Sequence, residues 1–115
     1  ASTGFGDACL VAKQVLEAKQ GTRFVQVTLG GWDMHGDIYG ANGNIAVGNN
    51  IFTLGRTFDA GLSGLIADLK AGGLFEKTLV VVAGEFGRTV GALSAQRGRD
   101  HFMQQFALMA GGGIK

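Results

Sequence analysis

The stretch from Leu79 to Thr89, Leu-Val-Val-Val-Ala-Gly-Glu-Phe-Gly-Arg-Thr, constrains the fold more than any other part of the chain. Its apolar, valine-rich opening predicts a strand, and an apolar run without alternation predicts burial on both faces, as inside a parallel sheet. The character then changes abruptly. Gly84 and Gly87 bracket Glu85 and Phe86, and Arg88 and Thr89 follow, so a carboxylate and a guanidinium leave the carboxyl end of the strand together. In open α/β sheets that edge is where ligands bind.

The flanking sequence supplies elements for such a sheet. Asp7 can cap a helix through about Gln20, with Leu10, Val11, Val15, Leu16 and Ala18 on one face and Gly21 as its stop. Phe24, Val25, Val27 and Leu29 predict a strand that ends at Gly30-Gly31. Trp32 to Asn50 is rich in glycine and asparagine, lacks a sustained period and reads as a long functional loop. Asn50 opens the clearest helix, since Ile51, Leu54, Phe58, Leu62, Leu65, Ile66 and Leu69 recur at helical spacing up to Gly72-Gly73. Strand, loop, helix and strand form a right-handed crossover unit, which implies parallel strands. Gly91 to Gln105 has no period, and Phe106 to Ala110 predicts a third strand. The expected class is therefore α/β.

At 115 residues the chain is at most one domain. Ala rather than Met at position 1, and the glycine-rich end at Gly111-Gly112-Gly113, lead to the expectation of a single partial α/β domain, residues 1–115 of a longer polypeptide whose remainder is its partner. A formal charge of +1 with 17% charged residues carries no polyanion-binding bias, so nucleic acid is not expected as a partner. No apolar run approaches the roughly 18 residues of a membrane span. The single Cys9, set between Ala8 and Leu10, reads as a small buried hydrophobe.

Both histidines of the chain fall just past predicted strand ends. Asp33 and His35 lie two apart in an extended segment, where alternate side chains point the same way, and such an oxygen and imidazole pair suits zinc, manganese or iron. Glu85 reads as a third ligand, as a general base, or as the ion-pair partner of Arg88 three residues on. Arg88 and Arg99 have the guanidinium forks that grip anions, whereas Arg97 reads as a solvated charge. Asp100-His101 is a second carboxylate and imidazole pair, and Trp32 reads as a packing residue beside the site. Thr28, Thr89 and Ser94 offer hydroxyls, but no spacing identifies the activating partner a nucleophile needs.

Taken together, Gly31-Trp32-Asp33-Met34-His35, Asp68-Leu69-Lys70 through Gly73-Leu74, Thr78 to Val82, Glu85-Phe86-Gly87-Arg88-Thr89, Gly98-Arg99-Asp100-His101 and Ala110 to Gly113 resemble the bacterial family DUF1501 over nearly the whole length. That family is similar to a branch of the alkaline phosphatase and sulfatase superfamily. The resemblance implies a parallel-sheet α/β/α sandwich, alkaline phosphatase-like and incomplete in this chain, with metal ions at the carboxyl edge of the sheet. By position it implies that Asp33, His35 and His101 hold one metal and that Glu85 stands where the superfamily places an Asp of a second. Phe86 stands where the superfamily has a histidine, and a phenyl ring cannot coordinate. Val90 replaces the proline that usually follows Arg-Thr in the family.

What the resemblance implies for function is a metal-dependent hydrolase of phosphate or sulfate esters. Its metal ligands would be Asp33, His35, Glu85 and His101, its catalytic residues Glu85, Arg88 and Arg99, its cofactor a divalent metal (zinc or manganese), and its substrate an anionic small-molecule or glycan ester. The superfamily's nucleophile comes from an N-terminal strand, which this sequence does not contain. The alternative is a non-catalytic metal-binding, glycan-binding or assembly domain of a secreted bacterial protein that keeps the fold. The residues themselves do not indicate a location; the family resemblance implies a periplasmic or secreted one.

Overall fold

The computed structural model describes residues 3–114. Their elements run α1 (Gly4–Glu17), α2 (Ile51–Ala71), β1 (Leu79–Ala83), β2 (Gly87–Arg88), β3 (His101–Phe102) and β4 (Ala107–Gly111), with short 3₁₀ turns at Ala41–Gly43 and Phe75–Lys77. β1 pairs with β4, and β2 pairs with β3 in a separate antiparallel ribbon. The residues divide into two compact units. One holds the described residues up to Leu29, Arg56–Val80 and those from Ala110 onward; the other holds Gly30–Gly55 and Val81–Met109.

The expected parallel sheet between two helical layers, alkaline phosphatase-like, is not the architecture found. Among the described residues, two helices accompany two sheets of two strands each. The segment from Phe24 to Leu29 forms no strand among the described residues, so the strand the sequence assigned there is not found. β1 is correspondingly not buried on both faces: its residues alternate, with Leu79 51% and Val81 52% exposed. A run of β-branched residues reports that a strand is favoured, whereas burial of its two faces depends on neighbours that the run itself does not encode.

In the first unit, Cys9 and Ala12 of α1 and Gly61 and Leu69 of α2 are buried, and the helices approach each other at Gly61, which faces Phe5 and Cys9. Gly61 is required by close approach, since a Cβ there would stand 2.5 Å from a ring carbon of Phe5. The Phe5 ring in turn packs at 5.9 Å, centroid to centroid, from Phe58. Burial of Cys9 agrees with its reading as a small hydrophobe and pushes its thiol pKa up. α1 starts earlier than expected because Thr3, not Asp7, is the N-cap; its Oγ1 accepts from the Gly6 amide at 3.0 Å, and Asp7 instead sits in the first turn.

α2 begins as the sequence predicts. Asn50 is fully buried, and its Oδ1 accepts from the amides of Phe52 and Thr53 at 2.9 and 3.0 Å. Thr53 Oγ1 accepts the Asn50 amide in return, a reciprocal cap that satisfies donors left open at a helix start. The helix stops at Gly72-Gly73, where Gly73 takes a φ of 66°.

In the second unit, the long loop after Gly31 is held by backbone bonds to the 96–99 segment. Asp37 and Ile38 amides donate to the carbonyls of Gln96 and Arg97, and the Arg99 amide donates to the carbonyl of Met34. Met34 and Ile38 are buried between these tethers, at 4% and 5% exposure, so the residues on either side of Met34 are fixed at the surface. No helix among the described residues is long and apolar enough to cross a membrane.

Candidate metal centre

Asp33 and His35 flank the buried Met34, so anchoring one side chain inward turns both neighbours outward on the same side. His101 arrives from β3, where it is the direct cross-strand partner of Arg88 on β2. Neither short strand was expected. Their register places Arg88 and His101 on one face of the ribbon.

The three side chains meet at a point. His35 Nε2 lies 3.0 Å from Asp33 Oδ1, His101 Nε2 lies 3.2 Å from the same oxygen, and the two imidazole nitrogens are 3.1 Å apart. Their donor atoms form a group able to hold a metal ion, and all three residues are exposed. Zinc bound tetrahedrally at about 2.0–2.1 Å sets its donors about 3.3–3.4 Å apart. The observed triangle is a few tenths of an ångström tighter, so an ion needs only a slight opening of it. Two nitrogens and one carboxylate oxygen suit zinc or manganese.

The centre has further contacts. Asp100 Oδ1 lies 2.8 Å from His35 Nδ1, the nitrogen on the other side of the ring from the triangle. Arg88 donates through Nη2 to Asp33 Oδ1 and through Nη1 to the Arg99 carbonyl at 3.0 Å, and Nη1 stands 3.4 Å from His35 Nε2. Hydrogen bonds from Arg88 first, and from His101 second, hold the Asp33 carboxyl down at a pKa of about 2. Phe86 packs its ring 4.1 Å from that of His101, and together with Phe102 and Met103 they line an apolar pocket of about 200 Å³.

The other residues singled out in the sequence fall as follows. Arg88 pairs with Asp33 rather than with Glu85. Glu85 is exposed on the turn after β1, and its carboxylate is outside the group of three. Arg99 braces backbone, donating from Nη1 to the Thr89 carbonyl at 2.6 Å, with Nη2 at 3.5 Å from Tyr39 Oη. Arg97 faces Asp37 at 3.5 Å as a half-exposed surface pair, in keeping with a solvated charge. Ser94 caps its own turn, accepting from the Gly98 amide at 3.1 Å. Asp100 is the contact the sequence did not resolve. Its neighbour in the chain, His101, drew it into a local pair, yet adjacent side chains of an extended segment diverge, and that rule points Asp100 to a different partner.

Comparison with known proteins adds one finding. The family model described as protein of unknown function, DUF1501, matches residues 1–115. The chain is a DUF1501 protein. No curated protein and no solved structure matches it. Within the DUF1501 chain, the motif residues quoted from the sequence divide by role: Asp33, His35 and His101 form the donor triangle, Arg88 and Asp100 contact it, and Gly98 supports it from below. A Cβ at Gly98 would stand 2.0 Å from the carbonyl carbon of His35, so glycine there lets the two backbones approach.

Proposed function

We propose that this DUF1501 chain is a metal-dependent hydrolase of phosphate or sulfate esters, with Asp33, His35 and His101 as ligands of a divalent ion, zinc or manganese. The observation that carries the reading is the donor triangle, with edges of 3.0, 3.1 and 3.2 Å, close to those around a tetrahedral ion. When bound, the metal would supply Lewis-acid polarisation of an ester oxygen. Arg88, with a side chain only 20% exposed, is placed to offset negative charge on the transferred group. Glu85, on the turn that joins β1 to β2, is the carboxylate assigned to proton transfer. Arg99 acts indirectly by fixing the backbone at Thr89.

A second reading is a metal-binding or glycan-binding domain without turnover, and Phe86 favours it. That ring packs on His101 and offers hydrocarbon where the superfamily resemblance calls for a donor. The test is uptake of zinc and manganese by equilibrium dialysis, followed by hydrolysis assays on aryl phosphate and aryl sulfate esters. Metal-dependent turnover, abolished in both His35→Ala and His101→Ala, supports the hydrolase. Stoichiometric uptake without turnover supports the second reading, and no uptake by the intact chain overturns both.

A further inference from the structure

We infer that Asp100 is a positioning residue of the metal centre, selecting the His35 tautomer whose Nε2 lone pair faces the ion. The inference rests on the metal reading above and assigns a role to a residue outside the ligand set. A carboxylate oxygen accepts the 2.8 Å hydrogen bond from His35 Nδ1 at Asp100 Oδ1 when the proton is on Nδ1, and Arg88 Nη1, which only donates, stands 3.4 Å from Nε2 and so needs a lone pair there. In the neutral ring Nε2 then carries no proton, and Nε2 is the atom that stands 3.0 Å from Asp33 Oδ1 and 3.1 Å from His101 Nε2. The opposite tautomer would direct an N–H into the space an ion has to fill.

Asp100 is held for this task by backbone rather than by burial. Its amide donates to Thr89 Oγ1 at 3.2 Å, and its carbonyl accepts the Thr89 amide at 3.0 Å, two bonds that tie it down just beyond the end of the β2–β3 ladder. The adjacent residue in the ladder is His101, itself a ligand. One short strand therefore delivers a donor to the ion and, one position earlier, the carboxylate that sets the second imidazole. The two meet His35 at different ring nitrogens, which is why neighbouring residues on β3 and its approach both reach one histidine. Carboxylate partners of this kind also raise the basicity of the ligand, and their loss typically costs about 10–100-fold in metal affinity.

The experiment measures zinc affinity by chelator competition at fixed pH for the intact chain, Asp100→Asn, Asp100→Ala and Asp100→Glu, and reads the His35 tautomer from ¹⁵N NMR of the zinc-free protein. The expected result is Nδ1 protonation of His35 in the wild type, loss of that preference in Asp100→Ala, and affinity about 10–100-fold weaker in Asp100→Ala and Asp100→Asn. Asp100→Glu, which keeps a carboxylate, recovers part of the loss. Affinity within twofold of wild type in a folded Asp100→Ala, or Nε2 protonation of His35 in the wild type, overturns the inference while leaving the metal reading intact. Failure of the wild type to bind zinc or manganese overturns the metal reading and this inference with it.

Discussion

The Arg88 guanidinium donates to the same oxygen of Asp33 toward which the nitrogens of His35 and His101 point. A cationic side chain therefore occupies one of the three donors a metal ion needs. Arg88 is at once the neutralising partner of Asp33 in the metal-free chain and a competitor for its carboxylate.

Arg88→Leu is accordingly expected to bind zinc more tightly than wild type, by about tenfold, because it removes both the competing donor and a unit charge beside the ion. Ester turnover should move the other way if Arg88 neutralises the transferred group. Titration calorimetry and a steady-state assay on the same preparation check the pair of outcomes. Weaker zinc binding in the variant would contradict the competition.

The depressed pKa of Asp33 predicts a specific acid response. Its ordinary value is 3.8 and its folded value about 2, so the folded state holds this proton less readily than the unfolded state. The contribution is fully present above about pH 4 and is lost as pH falls toward 2. Urea midpoints followed across that window should fall more steeply in wild type than in Asp33→Asn. Parallel slopes would remove Asp33 from the acid response.

Two glycines predict distinguishable effects. Gly61→Ala drives a methyl into the Phe5 ring in the first unit and should destabilise by about 1–3 kcal/mol, leaving zinc affinity unchanged. Gly98→Ala meets the backbone carbonyl of His35, which cannot swing aside as a side chain can, and should lower both stability and zinc affinity. Thermal melts with and without zinc separate the two cases.

Asn50→Ala removes the cap of α2 and leaves the Phe52 and Thr53 amides without their acceptor. A loss of about 1–2 kcal/mol is expected. Asn50→Asp keeps the acceptor oxygen but gives up the donation to the Val47 carbonyl, and should fall between the two by urea unfolding.

What the sequence discloses here follows the range of the interactions involved. Both helices are set by periodicity and caps within a few residues, so Ile51–Ala71 is legible almost to the residue, while α1 both starts earlier, because Thr3 was passed over as a cap, and ends at Glu17, short of the Gln20 expected from Gly21 as its stop. The Asp33 and His35 pair is legible because alternation in an extended segment is also local. Sheet architecture is not, since Phe24–Leu29 has the composition of a strand and forms no strand among the described residues. The β2–β3 ribbon carries no pattern at two residues per strand, yet it is what brings His101 to His35, 66 positions away. The partnership of Asp100 with His35 spans 65 positions and likewise has no local signature.

The tethers from Asp37, Ile38 and Arg99 run from amide to carbonyl, so the cradle beneath the donor triangle is written in main chain. The side chains of Asp33, His35 and His101 take no part in those backbone tethers. Under the metal reading, exchanging these three exposed residues would alter or silence the ion preference while the loops that present them stay in place. Such a division between carrier and cargo lets one scaffold outlast several chemistries.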